Sequence, residues 1–173
     1  MYSQQIDIRY MQPGDDPVRI SDIYEQSWRY AYRGIIPQEH LDSIPKGKWV
    51  THLGREGMHT LVAEHEGQLV GTASFCSSRW ESYSGYGEIV SIYFLPEHMG
   101  KGYGTALLHR CMEELRGMGY ENVLLWVLED NTQARCFYEK NGFVLSGDVL
   151  DDQIGGKDLR EVMYRKELGS GQR

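Results

Sequence analysis

The chain has 173 residues, 40% of them hydrophobic and 25% charged, which suits the core of one ordinary domain and excludes a disordered chain. Its 18 Lys and Arg against 25 Asp and Glu leave a formal charge of −7, which argues against a nucleic-acid partner because phosphate backbones demand a concentrated basic surface. The longest weakly charged stretch, Leu69 to Ser78, is too short and polar to cross a bilayer, and the opening residues lack the basic-then-apolar run of a secretory signal. No membrane partner is expected. The three cysteines (Cys76, Cys111, Cys136) are widely spaced, with no CxxC pair and no HxxxH or HxH among the six histidines. A disulfide framework or zinc site is not expected, and a metal-free domain in the reducing cytoplasm is.

In chain order, Ile6 to Tyr10 alternates apolar and polar residues as a half-buried strand does. Val18 to Tyr32 follows as a helix with Ile20, Ile23, Tyr24, Ser27, Trp28 and Ala31 on one face, ended by Gly34. Pro37 to Leu41 reads as a short second helix, and Lys46 to Arg55 as another helical turn or two. Thr60 to Glu64 and Gln68 to Cys76 are strands joined across Glu66-Gly67, a hairpin signal. Ser77 to Gly87 is a loop, and Glu88 to Leu95 a strand broken by Pro96. Gly102 to Met118 carries Leu107, Leu108, Cys111, Met112 and Leu115 at helical spacing and is closed by Gly119. Asn122 to Leu128 is an apolar strand. Asp130 to Lys140 is a helix, with Asp130 and Gln133 spaced as a capping box. Gly142 to Leu150 and Asp158 to Leu168 are final strands joined by the loop Asp151 to Lys157. The order β-α-α-β-β-β-α-β-α-β-β suggests an α+β sheet with helices on its faces, in one domain spanning the chain.

The sharpest local signal is Pro96-Glu97-His98-Met99-Gly100-Lys101-Gly102-Tyr103-Gly104-Thr105, between a strand and an amphipathic helix. Alternate glycines let successive backbone N–H groups converge on an anion, and the following helix adds its first-turn donors and positive dipole end. A phosphate or pyrophosphate is the natural guest, although a plain turn before a helix would use the same residues. A nucleotide P-loop would need G-x-x-x-x-G-K-[ST], which is absent. A dinucleotide fingerprint would need an acidic residue about twenty positions further on, where Val123-Leu124-Leu125 stands instead.

This loop resembles that of the GCN5-related N-acetyltransferases (GNAT), in which a strand ending apolar-x-Pro precedes [Q/R]-x-x-G-x-[G/A] and a helix. Here Ile92-Tyr93-Phe94-Leu95-Pro96 is followed by Met99-Gly100-Lys101-Gly102-Tyr103-Gly104. A second matching segment is Asn131-x-x-Ala134-x-x-Phe137-Tyr138-Glu139-Lys140-x-Gly142-Phe143. The run Trp28-x-x-x-Tyr32-x-Gly34-Ile35-Ile36-Pro37 is similar to the substrate-side helices of one bacterial branch. The resemblance covers Ile6 to Leu168 and implies a GNAT-like mixed, mostly antiparallel sheet flanked by helices in three layers. Met99 departs from it, standing where Gln or Arg is usual; anion binding through backbone donors should survive this.

The resemblance implies attack of an amine on the thioester of acetyl-CoA, taken as cosubstrate. Its cradle would be Ile92, Tyr93, Phe94, Met99, Gly100, Lys101, Gly102, Tyr103, Gly104, Thr105, Asn131 and Tyr138. Phe94 would serve through its N–H, at a strand bulge, aimed at the thioester oxygen. Tyr138 would be the general acid for the departing thiolate, although Ala134, Phe137 and Tyr138 also form an ordinary core stripe. Glu88 would be the general base, directly or through water, with Glu81, Glu25 and Asp151 as replacements. Trp28 and Tyr32 suit either core packing or an acceptor cleft that binds an ammonium by cation–π contact. The expected function is N-acetylation of a primary amine, favouring a small amine or polyamine. The alternatives are a peptide or protein amine and a non-catalytic acyl-CoA sensor. A homodimer is common in such a family.

Overall fold

A computed structural model describes residues 5–170, and its elements follow the expected order. They are β1 (Asp7–Tyr10), α1 (Pro17–Ala31), α2 (Gln38–Asp42), β2 (His59–His65), β3 (Gln68–Ser77), β4 (Gly87–Phe94), α3 (Tyr103–Gly117), β5 (Asn122–Leu128), α4 (Thr132–Lys140), β6 (Val144–Ile154) and β7 (Lys157–Glu167). The strands form one sheet in the order β1-β2-β3-β4-β5-β7-β6. Every pairing is antiparallel except β4 with β5, so the sheet is mixed and mostly antiparallel, as expected.

Local chemistry explains the ends of these elements. The Asp16 side chain accepts from the Val18 N–H to start α1, with Pro17 in its first turn. The β2–β3 turn places Glu66 at φ 50° and Gly67 at φ 77°, the doubly left-handed pair that suits a two-residue hairpin. The Asp130–Gln133 capping box does not form. Asn131 is the cap instead, its side chain accepting from Ala134 N–H, and α4 starts at Thr132. The expected loop Asp151 to Lys157 is mostly strand, since β6 runs to Ile154 and turns on Gly155-Gly156 alone. Periodicity missed this because β6 is an exposed edge strand, held by ladder bonds and by an Arg160–Asp151 ion pair rather than by alternating burial. The segment Lys46 to Arg55 gives only a 3-10 turn at Val50–His52.

The core divides by sheet face. Leu107, Leu108, Cys111 and Leu115 of α3 pack with Phe75, Ile89, Val123 and Leu125. On the other face, Ile20 and Tyr24 of α1 cover Val62, while Ile36, Leu41 and Ile44 pack on Leu128 and Leu159. β4 and β5 pair only through Gly87–Val123 and Glu88–Leu124. Beyond these two rungs the parallel strands part, and the sheet opens.

Candidate active site

The opening between β4 and β5 is a cleft of about 560 Å³, within the usual range for small-molecule sites. One wall is β4 from Val90 to Phe94. The floor and far end come from the loop and first turn of α3 (His98, Met99, Gly100, Gly102, Gly104, Thr105), and α4 with its cap supplies Asn131, Gln133, Cys136, Phe137, Tyr138 and Lys140. Tyr30, Ala31 and Tyr32 close the α1 side, and Trp126 lines it from β5.

The β4 backbone faces the cleft for a geometric reason. Leu95 N–H donates to Val70 O at 2.8 Å while Phe94 stands opposite Gly71 and Tyr93 opposite Thr72. By the alternation of an antiparallel ladder, the N–H groups of Phe94 and Ile92 then point away from β3, into the gap. The strand does not bulge at Phe94. The register shifts where Phe75 opposes Ile89 and Ser74 opposes Ser91, so the extra residue is Val90. Phe94 itself is regularly paired, and its buried ring lies over Gly71, where a Cβ would come within 2.4 Å.

The glycine loop is built for an anion. Gly100 and Gly102 have φ of 73° and 82°, and nothing lies within 4 Å of the space a Cβ would take. Gly102 caps α3 without any side-chain bond, and the N–H groups of Gly104 and Thr105 in the first turn are placed to face a guest. An open backbone nest beside a parted strand fits a diphosphate continuing into an extended arm. Two of the expected residues do not line the cleft with their side chains. The Tyr103 ring turns into the core beside Phe94 and His65, and Lys101 is exposed on the loop.

Tyr138 lines the cleft, packed by its ring against Phe137, Phe143 and Tyr164. Burial, with the Tyr93 phenol and Cys111 thiol adding to it, holds its hydroxyl pKa well above the ordinary phenol value. Tyr93 is buttressed in turn: its hydroxyl accepts from the Trp28 indole N–H at 3.1 Å and interacts with that of Tyr32. Burial pushes the Tyr32 phenol up to about 12. Of the two aromatics noted in this segment, Tyr32 at the α1 C-cap therefore lines the cleft and Trp28 supports it from behind.

Glu88 is not brought to the cleft. It is 1% exposed; Arg79 donates to its Oε2 from Nε at 3.0 Å and Nη2 at 2.5 Å, and the Arg79 N–H donates to Oε1 at 3.1 Å. A carboxylate with these three donors is an ion-pair partner that fixes the loop after β3. Of the named replacements, Glu25 accepts from Ser21 Oγ and Gly47 N–H, and Asp151 pairs with Arg160. Sequence reasoning did not select Trp126, His98, Gln133, Cys136 or Lys140. The α4 residues among them had a signal in their i, i+3, i+4 spacing from Gln133, on the same face as Phe137.

The family model for the Acetyltransferase (GNAT) family matches residues 18–143. The chain is 34% identical over 155 residues to an uncharacterized N-acetyltransferase, YuaI, of Bacillus subtilis, covering 86% of each chain. It is 29% identical over 144 residues to the L-amino acid N-acyltransferase MnaT of Escherichia coli, covering 82% of this chain and 81% of that one. The structure of yncA from Salmonella typhimurium with its cofactor acetyl-CoA has the same fold, at a TM-score of 0.73 and 22% identity over 97% of this chain and 96% of that one. With a matching model across most of its length and a cleft opened by parting strands above a glycine nest, the chain belongs to the GNAT family and is an acetyl-CoA-dependent N-acetyltransferase.

Proposed function

We propose that this enzyme acetylates the primary amine of a small molecule, with α-amino acids and related small amines as the acceptor class. One observation carries the choice of a small acceptor. The tip of the β6–β7 hairpin closes on the α2 region: Gly155 stands so close to His40 that a Cβ there would meet its side chain at 2.7 Å, and Lys157 Nζ donates to Ile35 O at 2.8 Å. A polypeptide laid across the site, as an internal lysine requires, needs a groove open at both ends, whereas this contact joins the hairpin tip to the α2 region. The similarity to an L-amino acid N-acyltransferase supports the same class.

In this reading the N–H groups of Gly100, Gly102 and Thr105 and their neighbours hold the diphosphate of acetyl-CoA, with Met99 packing at the loop edge. Ile92 and Phe94 N–H hold its amide arm and thioester oxygen. Asn131 borders the same arm while capping α4. Tyr138 donates to the departing sulfur. Bound acetyl-CoA supplies the activated acetyl group. The test is thiol release from acetyl-CoA with L-methionine, spermidine, an aminoglycoside and an alanine-starting tetrapeptide. The expected result is turnover of one or more of the small amines well above the tetrapeptide. Preference for the tetrapeptide overturns the small-acceptor assignment, and binding of acetyl-CoA with no turnover favours a sensor.

A further inference from the structure

An amine substrate with a pKa near ~10 arrives as an ammonium ion, so the acceptor end of the cleft must hold a cation and remove a proton. With Glu88, Glu25 and Asp151 committed to internal donors, Glu139 accepting from Tyr164 and Glu81 exposed on the loop after β3, Glu161 stands apart as a partly buried carboxylate on the sheet itself. It lies on β7 opposite Leu128 of β5 and Leu150 of β6. Directly opposed residues share a sheet face, and Leu128 and Leu159 bury against Ile36 and Leu41. Glu161 therefore faces the α1–α2 side. Trp126, on the same face two residues before Leu128, lines the cleft.

Tyr32 lines the cleft and packs on the cluster holding Leu128 and Leu159, the residues that flank Glu161; the Glu161 charge also raises the pKa of Tyr32 and of Arg79. Among the described residues no hydrogen bond or ion pair reaches the Glu161 carboxylate, although it is only partly exposed. Burial first, and then Asp152 beside it, raise its pKa, with Arg79 opposing. The other shifted carboxyls, Asp15, Glu114 and Asp151, are pulled down by hydrogen bonds from arginines. A half-desolvated carboxylate with open lone pairs gains from a cation far more than one already satisfied.

We propose that Glu161, with Tyr32 packed on the same side of the sheet, forms the subsite that receives the acceptor ammonium and takes its proton. This rests on the small-amine reading above. One ammonium proton passes to Glu161 and on to solvent, and the freed lone pair forms the C–N bond as the C–S bond breaks. The second N–H proton replaces the one that Tyr138 gives to the thiolate, so N-acetyl product, free CoA thiol and one released proton balance the reaction. The titratable groups that interact electrostatically with Glu161 are Tyr32 at the cap of α1, Arg79 from the loop after β3 and Asp152 from β6.

The test compares wild type with Glu161→Gln, Glu161→Asp and Tyr32→Phe on the four amines named above, with acetyl-CoA Kd, melting temperature and the pH profile of kcat/KM. Glu161→Gln is expected to lower kcat/KM for the amine about 10²-fold or more, leave acetyl-CoA Kd unchanged and abolish an acidic limb that lies above the usual carboxylate range. Its melting temperature should hold or rise at neutral pH, because a carboxyl with a raised folded pKa costs stability when ionised. Glu161→Asp should recover part of the activity and keep the acidic limb. Tyr32→Phe should raise KM for the amine with a smaller effect on kcat. An active wild type whose Glu161→Gln variant is equally active, or merely melts earlier, overturns this proposal alone. A wild type that binds acetyl-CoA and turns over none of the four overturns the amine reading and this proposal with it.

Discussion

At the residue scale, Tyr138 is a phenol too weak to ionise in the working range of pH, because burial, Tyr93 and Cys111 all favour its neutral form. It can donate a hydrogen bond to a developing thiolate, but full transfer to a thiol of pKa near ~8.5 is uphill unless the N–H proton replaces it in the same step. Tyr138→Phe is therefore expected to lower kcat about 10²-fold, the low end for a positioned acid, with acetyl-CoA Kd unchanged. The wild-type enzyme should show no alkaline loss of activity from this group below pH ~10. A lower melting temperature with kcat per folded molecule within about twofold of wild type would mark Tyr138 as a core residue only. Glu88 calls for the opposite readout. Glu88→Gln leaves Arg79 without its anion and should cost about 1–3 kcal/mol, less than a fully buried pair because Arg79 is half exposed. Thermal melting checks this, and unchanged stability would mean that the Arg79 loop is held by other contacts, such as the Trp80–Trp126 ring pair.

At the element scale, the decisive feature is the parting of β4 from β5 after two rungs, because it turns backbone donors of a central strand toward a ligand. Phe94 must stay regular for this, and it does so by lying over Gly71. Gly71→Ala inserts a methyl group at 2.4 Å from the ring, so a destabilisation of about 1–3 kcal/mol is expected, together with weaker acetyl-CoA binding as Phe94 is pushed into the cleft. Calorimetry on the folded variant measures the second effect; wild-type affinity would show that the strand adapts without moving its N–H groups. Gly102→Val places a branched side chain at φ 82°, where L-residues are strained, and should abolish cofactor binding. A folded variant with wild-type affinity would reduce the loop to a turn. The two edges of the α4 segment show how far motifs reach. The Asn131 to Phe143 match located the helix that carries Tyr138, but the cap is Asn131 rather than Asp130, its side-chain oxygen accepting from Ala134 N–H.

At the scale of the whole molecule, the cleft separates two halves of one sheet, β1–β4 and β5–β7, joined by two rungs, by α3 on one face and by α1 and the α2 region on the other. A ligand that touches both halves, as this cleft requires, should tighten the fold as a unit. Acetyl-CoA at a hundredfold excess over Kd adds about 2.7 kcal/mol, which for a chain of this length raises Tm by about 5–10 °C. Metal chelators should leave the shift intact, and a Tm that responds to ATP but not to acetyl-CoA would contradict the site.

The sequence by itself determined the element order, the glycine nest and the segment bearing Tyr138, because these depend on local periodicity, turn chemistry and backbone freedom within about ten residues of chain. It placed the bulge at Phe94 rather than Val90, ended β6 four residues early and put the base on Glu88. Each of these depends on partners far away in the chain. Strand register decides the bulge, an edge strand needs no apolar alternation to pair, and the chemistry of a carboxylate is set by whichever donor the fold brings to it. Arg79 reached Glu88, while Glu161, seventy-three residues further on by the numbering, sits partly buried on the α1–α2 side of the sheet with no hydrogen bond among the described residues. That choice belongs to tertiary structure, since burial and pairing are properties of the folded surroundings and not of the residue type.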